Sequence, residues 1–249
     1  MKFSPNDSGA SEIVLKRYDR LESRYLQTGD FSALQEMNTE YPIETRTLIE
    51  KVLQLGEVSD PRIHNRFLMF YQDSTLQTLL ADVESEYANV DDLTRKFQDA
   101  FSNLNELIPG IKIPELYLQI GAFDQSIIVG DKSVGVCLDK YMGEKYPLYK
   151  KYYTAQQLKT MKRCYIVPDC LCFYLLGQYP MENFEMKSQV ERDIHVAKVM
   201  WVVNKVTGEK KLQTAYLKNV EKYMLHNKNA SIDDFLRTDE DYGSILKCK

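Results

Sequence analysis

The chain has 249 residues, a formal net charge of −4, and 44% hydrophobic against 27% charged residues. That length buries one core well, and the mildly acidic balance argues against nucleic-acid binding, because phosphate neutralisation needs a basic surface. No apolar run approaches the roughly 20 residues that cross a bilayer, and five cysteines, an odd number, argue against a disulfide framework.

The amino-terminal "MKFSPNDSGASE" is polar and lacks the apolar core of a secretory signal, so residues 1–12 read as a flexible lead-in. Either the protein is cytoplasmic or a native leader has been removed. Residues 13–110 read mainly as helices. Val14, Tyr18, Leu21 and Tyr25 recur at helical spacing, although "EIVLKRY" could open as a strand. Asp30 suits the cap of "FSALQEM", which stops before Pro42. "IETRTLIEKVLQL" is amphipathic and ends at Gly56, and Pro61 suits the first turn of "PRIHNRFLMFYQ". Ser74 and Asp91 are candidate caps for the next two helices. In the second of these Leu93, Phe97, Phe101 and Leu104 form one stripe. Pro109, Gly110 and Pro114 then stop any helix.

Over 114–139 the period changes. "ELYLQIGAF", "SIIVG" and "SVGVCLD" are short apolar runs separated by turn residues, which predicts antiparallel strands with a hairpin at Gly130–Ser133. Residues 147–249 return to helices, with candidates at 155–161, 165–177, 186–206, 210–226 and 232–237. Gly208 separates two of them, so that "KVTGEKKLQ" reads as a solvated turn. The expected fold is α+β and mainly helical, with a small antiparallel sheet packed on helices in a single domain spanning 1–249.

Few residue patterns carry chemistry. Zinc hydrolases place two histidines four apart on a helix with a glutamate beside the first. Here His64, His195 and His226 are the only histidines, and no two have that spacing. Cys137, Cys170 or Cys172 could pair with His195, but each lies in an apolar run, where a thiol is inert. Cys170 and Cys172 point about 200° apart on a helix and would not share a site easily. "IVGDKSVGV" lacks the spacing of a phosphate loop, and no G-x-S-x-G occurs. Of the paired carboxylates, Asp91/Asp92 and Asp233/Asp234 are explained by helix starts, while Asp239/Asp241 falls in a loop. Seventeen tyrosines stand against one tryptophan, and "YMGEKYPLYKKYY" gathers five of them. Such a segment is either pinned to the core by half-buried rings or offers a binding surface.

"VCLDKYMGEKYPLYKKYY" followed by "YIVPDCLCFYLLGQYP" resembles the gliding-motility lipoproteins of the GldB type. "VLKRYDRLE", "DLTRKFQDAFSNLNELIPGIKIPELYLQIGAF" and "IHVAKVMWVVNKV" extend the likeness over most of residues 13–206. The resemblance implies a zincin-like, metallopeptidase-like architecture in which the helix at "VPDCLCFYL" takes the place of the zinc-binding helix. Pro168 then stands at the first histidine, Asp169 at the glutamate and Cys172 at the second histidine. Val196, before Ala197 and Lys198, stands where the family tends to show a glutamate. Pro168 and Val196 have no donor atom, and Asp169 beside a proline also suits a helix cap.

The implied protein is a degenerate, non-catalytic, cell-envelope binding or scaffold component without metal or cofactor. Its partner would be a protein or peptide, taken as an added strand on an exposed sheet edge, and any membrane attachment would come through a removed lipoprotein leader. Two alternatives stand beside it. One is a hydrolase using Asp169, Cys172 and His195; the other is a cytoplasmic helical interaction module.

Overall fold

The computed structural model describes residues 12–248. The lead-in expected over 1–12 therefore lies, but for Glu12, outside the described residues.

The chain opens as the short strand β1 (Leu15–Lys16), the alternative reading of "EIVLKRY". Ile13 and Leu15 are buried while Val14 between them is exposed, the alternation of a strand. α1 (Tyr18–Thr28) ends at Gly29, whose φ of 70° closes the last turn. Asp30 caps α2 (Phe31–Glu40) by accepting the Ser32 N–H. α3 (Pro42–Arg46) passes into a π-helical turn over Thr47–Val52, so the helical run stops short of Gly56. α4 (Ile63–Phe70) begins two residues after Pro61, which therefore lies outside its first turn.

The caps of the next two helices lie one residue before those expected. Asp73, with a carboxylate where Ser74 has a hydroxyl, accepts from the Thr75 and Leu76 N–H groups and starts α5 (Ser74–Glu86). Asp91 is the first residue of α6 (Asp91–Leu107), its N–H donated to the Asn89 side chain. The stripe Leu93, Phe97, Phe101 and Leu104 is buried as its spacing predicts.

The sheet departs from expectation. β2 (Glu115–Gln119), β3 (Ile127–Val129) and β4 (Ser133–Cys137) join β1 in the order β1-β2-β4-β3. Only the β3–β4 hairpin is antiparallel; β1 with β2 and β2 with β4 are parallel, so the sheet is mixed rather than antiparallel. The cause lies in two buried carboxylates. Glu22 accepts the Ile120 N–H, and Asp139 accepts those of Gly121 and Phe123. These bonds hold the chain after β2 out of the sheet, with Ala122 and Phe123 at φ of 49° and 70°. β3 then forms one strand-width further out, and β4 fills the gap beside β2. Gly135 makes that insertion sterically feasible: a Cβ there would lie 2.3 Å from the Tyr117 ring.

The Tyr-rich segment leads to α7 (Ala155–Leu158), whose Thr154–Gln157 capping box is complete. Tyr149 is fully buried and donates to the Asp139 carbonyl, while Tyr146 donates to Asp82, so rings pin much of this segment to the core. α8 (Ile166–Gln178) is apolar on nearly every side and packs against β3, β4, α6 and α9 (Gln189–Thr207). A Ser188–Glu191 capping box starts α9, and Gly208 at φ 67° ends it.

Helix does not resume at 210, because both polar atoms of the Asn204 amide bond the Leu212 backbone and hold an extended turn. α10 (Leu217–His226), α11 (Ile232–Arg237) and α12 (Tyr242–Lys247) follow; sequence reasoning missed the last. These carboxyl-terminal elements close over α9. The Lys198 ammonium, fully buried, donates to Asp241 at 2.8 Å and to the Thr238 carbonyl at 2.7 Å, with the Phe235 and Tyr242 rings 4.6 and 4.9 Å away.

Candidate functional site

A cavity beside the start of the edge strand β3 lies at the amino end of α8, and a groove lies at its carboxyl end. Ser126, just before β3, shares a cavity with Asp169 in the first turn of α8. Further along, Val129 lies against Gly177, where a Cβ would come within 3.2 Å of it. α8 therefore runs alongside β3 in the same direction. Eight helical residues rise about 12 Å and three strand steps about 10 Å, so the two segments match in length. Asp169, Phe173 and Leu176 fall at i, i+4 and i+7 on one helical face. Phe173 is 45% exposed, whereas Cys170, Leu171, Cys172, Tyr174 and Leu175 are buried.

β3 has a free side. Ser126 accepts from Cys137, and Gly130 donates to Ser133. Ser126, Ile128 and Gly130 thus turn their backbone groups to β4, and Ile127 and Val129 turn theirs away from it. Among the described residues no strand pairs with that side.

The cavity at the amino end of α8 holds about 180 Å³ and is lined by Ser126, Lys140, Tyr141, Tyr153, Thr160 and Asp169, among others. Tyr141 Oη donates to Asp169 Oδ2 at 2.9 Å. Burial pushes the Asp169 carboxyl up to about 6, and the Tyr141 hydroxyl is all that opposes the rise. Lys140 Nζ donates to Tyr153 Oη at 2.9 Å and to the Phe123 carbonyl at 3.3 Å. Burial lowers its pKa, while the Asp139 charge works against the change.

The groove at the other end holds about 520 Å³ and is largely apolar. Leu176, Met181, Phe184 and Val196 line it with Arg192 and His195. The Arg192 guanidinium lies 4.3 Å from the Phe184 ring centre, and its Nε is buried without a partner. His195 Nε2 meets the Tyr179 carbonyl at 2.8 Å and its Nδ1 the Tyr242 hydroxyl at 3.3 Å. Burial lowers the His195 pKa.

The residues singled out from sequence are thereby spread over several environments. Asp169 lines the polar cavity, and His195 and Val196 the apolar groove. Pro168 faces a third cavity of about 480 Å³ with Arg163 and Lys205. Cys172 is buried, its thiol pushed up to about 12 by loss of water. Asp169 is not a helix cap, since α8 begins three residues earlier at Ile166 and Pro168 sits within the first turn.

A zinc ion would need several donors converging on one point. Pro168 and Val196 have none, and Asp169 and His195 open into different cavities. Among the described residues no group of three His, Cys, Asp or Glu side chains is placed to hold a metal ion. The residues therefore do not fit a zinc centre of the metallopeptidase kind. Ser126, Lys140, Tyr141 and Tyr153 were not singled out as site residues. Lys140, Tyr141 and Tyr153 stand in the run from "LDKYMG" to "KKYY", sixteen residues or more before Asp169, and only the fold turns that run back on α8.

The family model for gliding motility protein GldB matches residues 4–216, most of the chain. Neither a curated protein nor a solved structure matches it.

Proposed function

Since the chain belongs to the family of gliding motility protein GldB, we propose that it serves as a non-catalytic binding component of the cell envelope in gliding motility. In this reading it keeps the layout of a metallopeptidase cleft without the donors of one. The partner is an extended protein segment that pairs with the free side of β3 and lies along the exposed face of α8. The observation that carries it is the unpaired backbone of Ile127 and Val129 alongside α8, with one cavity at the start of β3 and a groove at the carboxyl end of α8. Main-chain bonds would give affinity and the end cavities specificity. A lipoprotein leader upstream of this chain would hold the protein at the membrane; among the described residues no helix is long and apolar enough to cross it.

Val129→Pro tests the reading. Proline removes the outward N–H and is tolerated on an edge strand, so the sheet survives while strand addition is blocked. Peptides selected from a displayed random library against the native protein should lose at least tenfold in affinity for the variant. Undiminished binding to a folded Val129→Pro protein would sink the strand-addition reading. Measurable hydrolysis of casein by the zinc-supplemented native protein, abolished in Asp169→Asn, would sink the non-catalytic one.

A further inference from the structure

Asp169 and Lys140 line one small cavity yet do not neutralise each other. They form no ion pair, and no cation bears on the Asp169 carboxyl, which burial alone holds up. The carboxylate charges acting on Lys140 are those of Asp139 and Asp124, not that of Asp169. Each group has capacity left. Asp169 Oδ2 takes the Tyr141 proton, and Oδ1 has no partner among the described residues. Lys140 spends two of its three ammonium protons on Phe123 and Tyr153. Ser126, Tyr153 and Thr160, each with a hydroxyl, line the same cavity. A largely buried carboxylate with no cation beside it is costly unless one arrives, and the Lys140 ammonium, eased by Asp139 and Asp124, still has a proton to donate.

We propose that this cavity binds a small zwitterion, such as a free α-amino acid, with its ammonium on Asp169 and its carboxylate on Lys140. A volume of about 180 Å³ leaves room for a small zwitterion. A peptide terminus or a single-charge ion satisfies only one of the two groups. The proposal shares this cavity with the strand-addition reading but does not need the β3 backbone, so a failure of one is distinguishable from a failure of the other.

The test is calorimetric titration of the purified protein with glycine, alanine, serine and β-alanine, and with two blocked forms, alaninamide and N-acetylalanine. The expected result is saturable one-to-one binding of at least one free amino acid and at least tenfold weaker binding of both blocked forms. Lys140→Met and Asp169→Asn should each lose tenfold or more, while Val129→Pro leaves the affinity unchanged. The amide introduced by Asp169→Asn would keep an acceptor for Tyr141, and urea unfolding verifies that each variant is folded. Absence of saturable binding across the panel would overturn the proposal. So would equal affinity for free and blocked forms, or full affinity in either charge variant.

Discussion

Replacing Asp169 by Asn should make the protein more stable at neutral pH. The carboxyl titrates at about 6 in the folded chain, against 3.8 for an ordinary aspartate. About two units at 1.36 kcal/mol each give a penalty of at most about 3 kcal/mol. The sign follows from proton uptake. Between 3.8 and about 6 the folded state binds more protons than the unfolded one, so stability falls as pH rises through that window. Below it both states are protonated and nothing is lost; above it the full penalty applies. The substituted amide carries no such charge and still accepts from Tyr141. Cys170 and Cys172, which feel the Asp169 charge, stay protonated throughout, since burial pushes both thiols up. Urea unfolding at pH 4, 6 and 7.5 is the assay. The variant's advantage should grow from near zero at pH 4 to about 2–3 kcal/mol at pH 7.5. An advantage independent of pH, or a variant less stable at pH 7.5, would refute the desolvation argument.

Two further substitutions test the fold that places the site. Gly135→Ala puts a methyl group where the Tyr117 ring stands and should cost about 1–3 kcal/mol by overpacking, read as a lowered Tm; an unchanged Tm would mean that the ring yields freely. Lys198→Met leaves Asp241 buried without its cation and should cost about 3–5 kcal/mol, with residues 238–248 becoming open to proteolysis before global unfolding. A loss under about 1 kcal/mol in urea unfolding would show the pair to be dispensable.

What could be read from the residues was whatever is decided locally. Asp30 caps its helix as its position predicts, Gly208 ends α9, and the stripe from Leu93 to Leu104 is buried, because each depends on neighbours within a turn or two. The sheet order was not legible. It depends on Glu22 and Asp139 reaching residues 120–123 from distant segments, and a buried carboxylate looks in sequence like any surface one. The same limit applied at the site. Asp169 stood out through its place beside Pro168, but its meaning comes from Tyr141, twenty-eight residues earlier, and from a lysine in the same cavity. Asp241 was set aside as a loop acid, and the fold makes it the counter-ion of a buried lysine.

The position of that counter-ion has a consequence for biosynthesis. Lys198 belongs to the centre of α9, yet the anion it requires is made more than forty residues later, beyond the stretch that the family model matches. While the ribosome is still working, α9 carries an unmatched ammonium on the face that will later be sealed. The sealing of that face by the segment around Asp241 can therefore come only after residues 238–241 have been made.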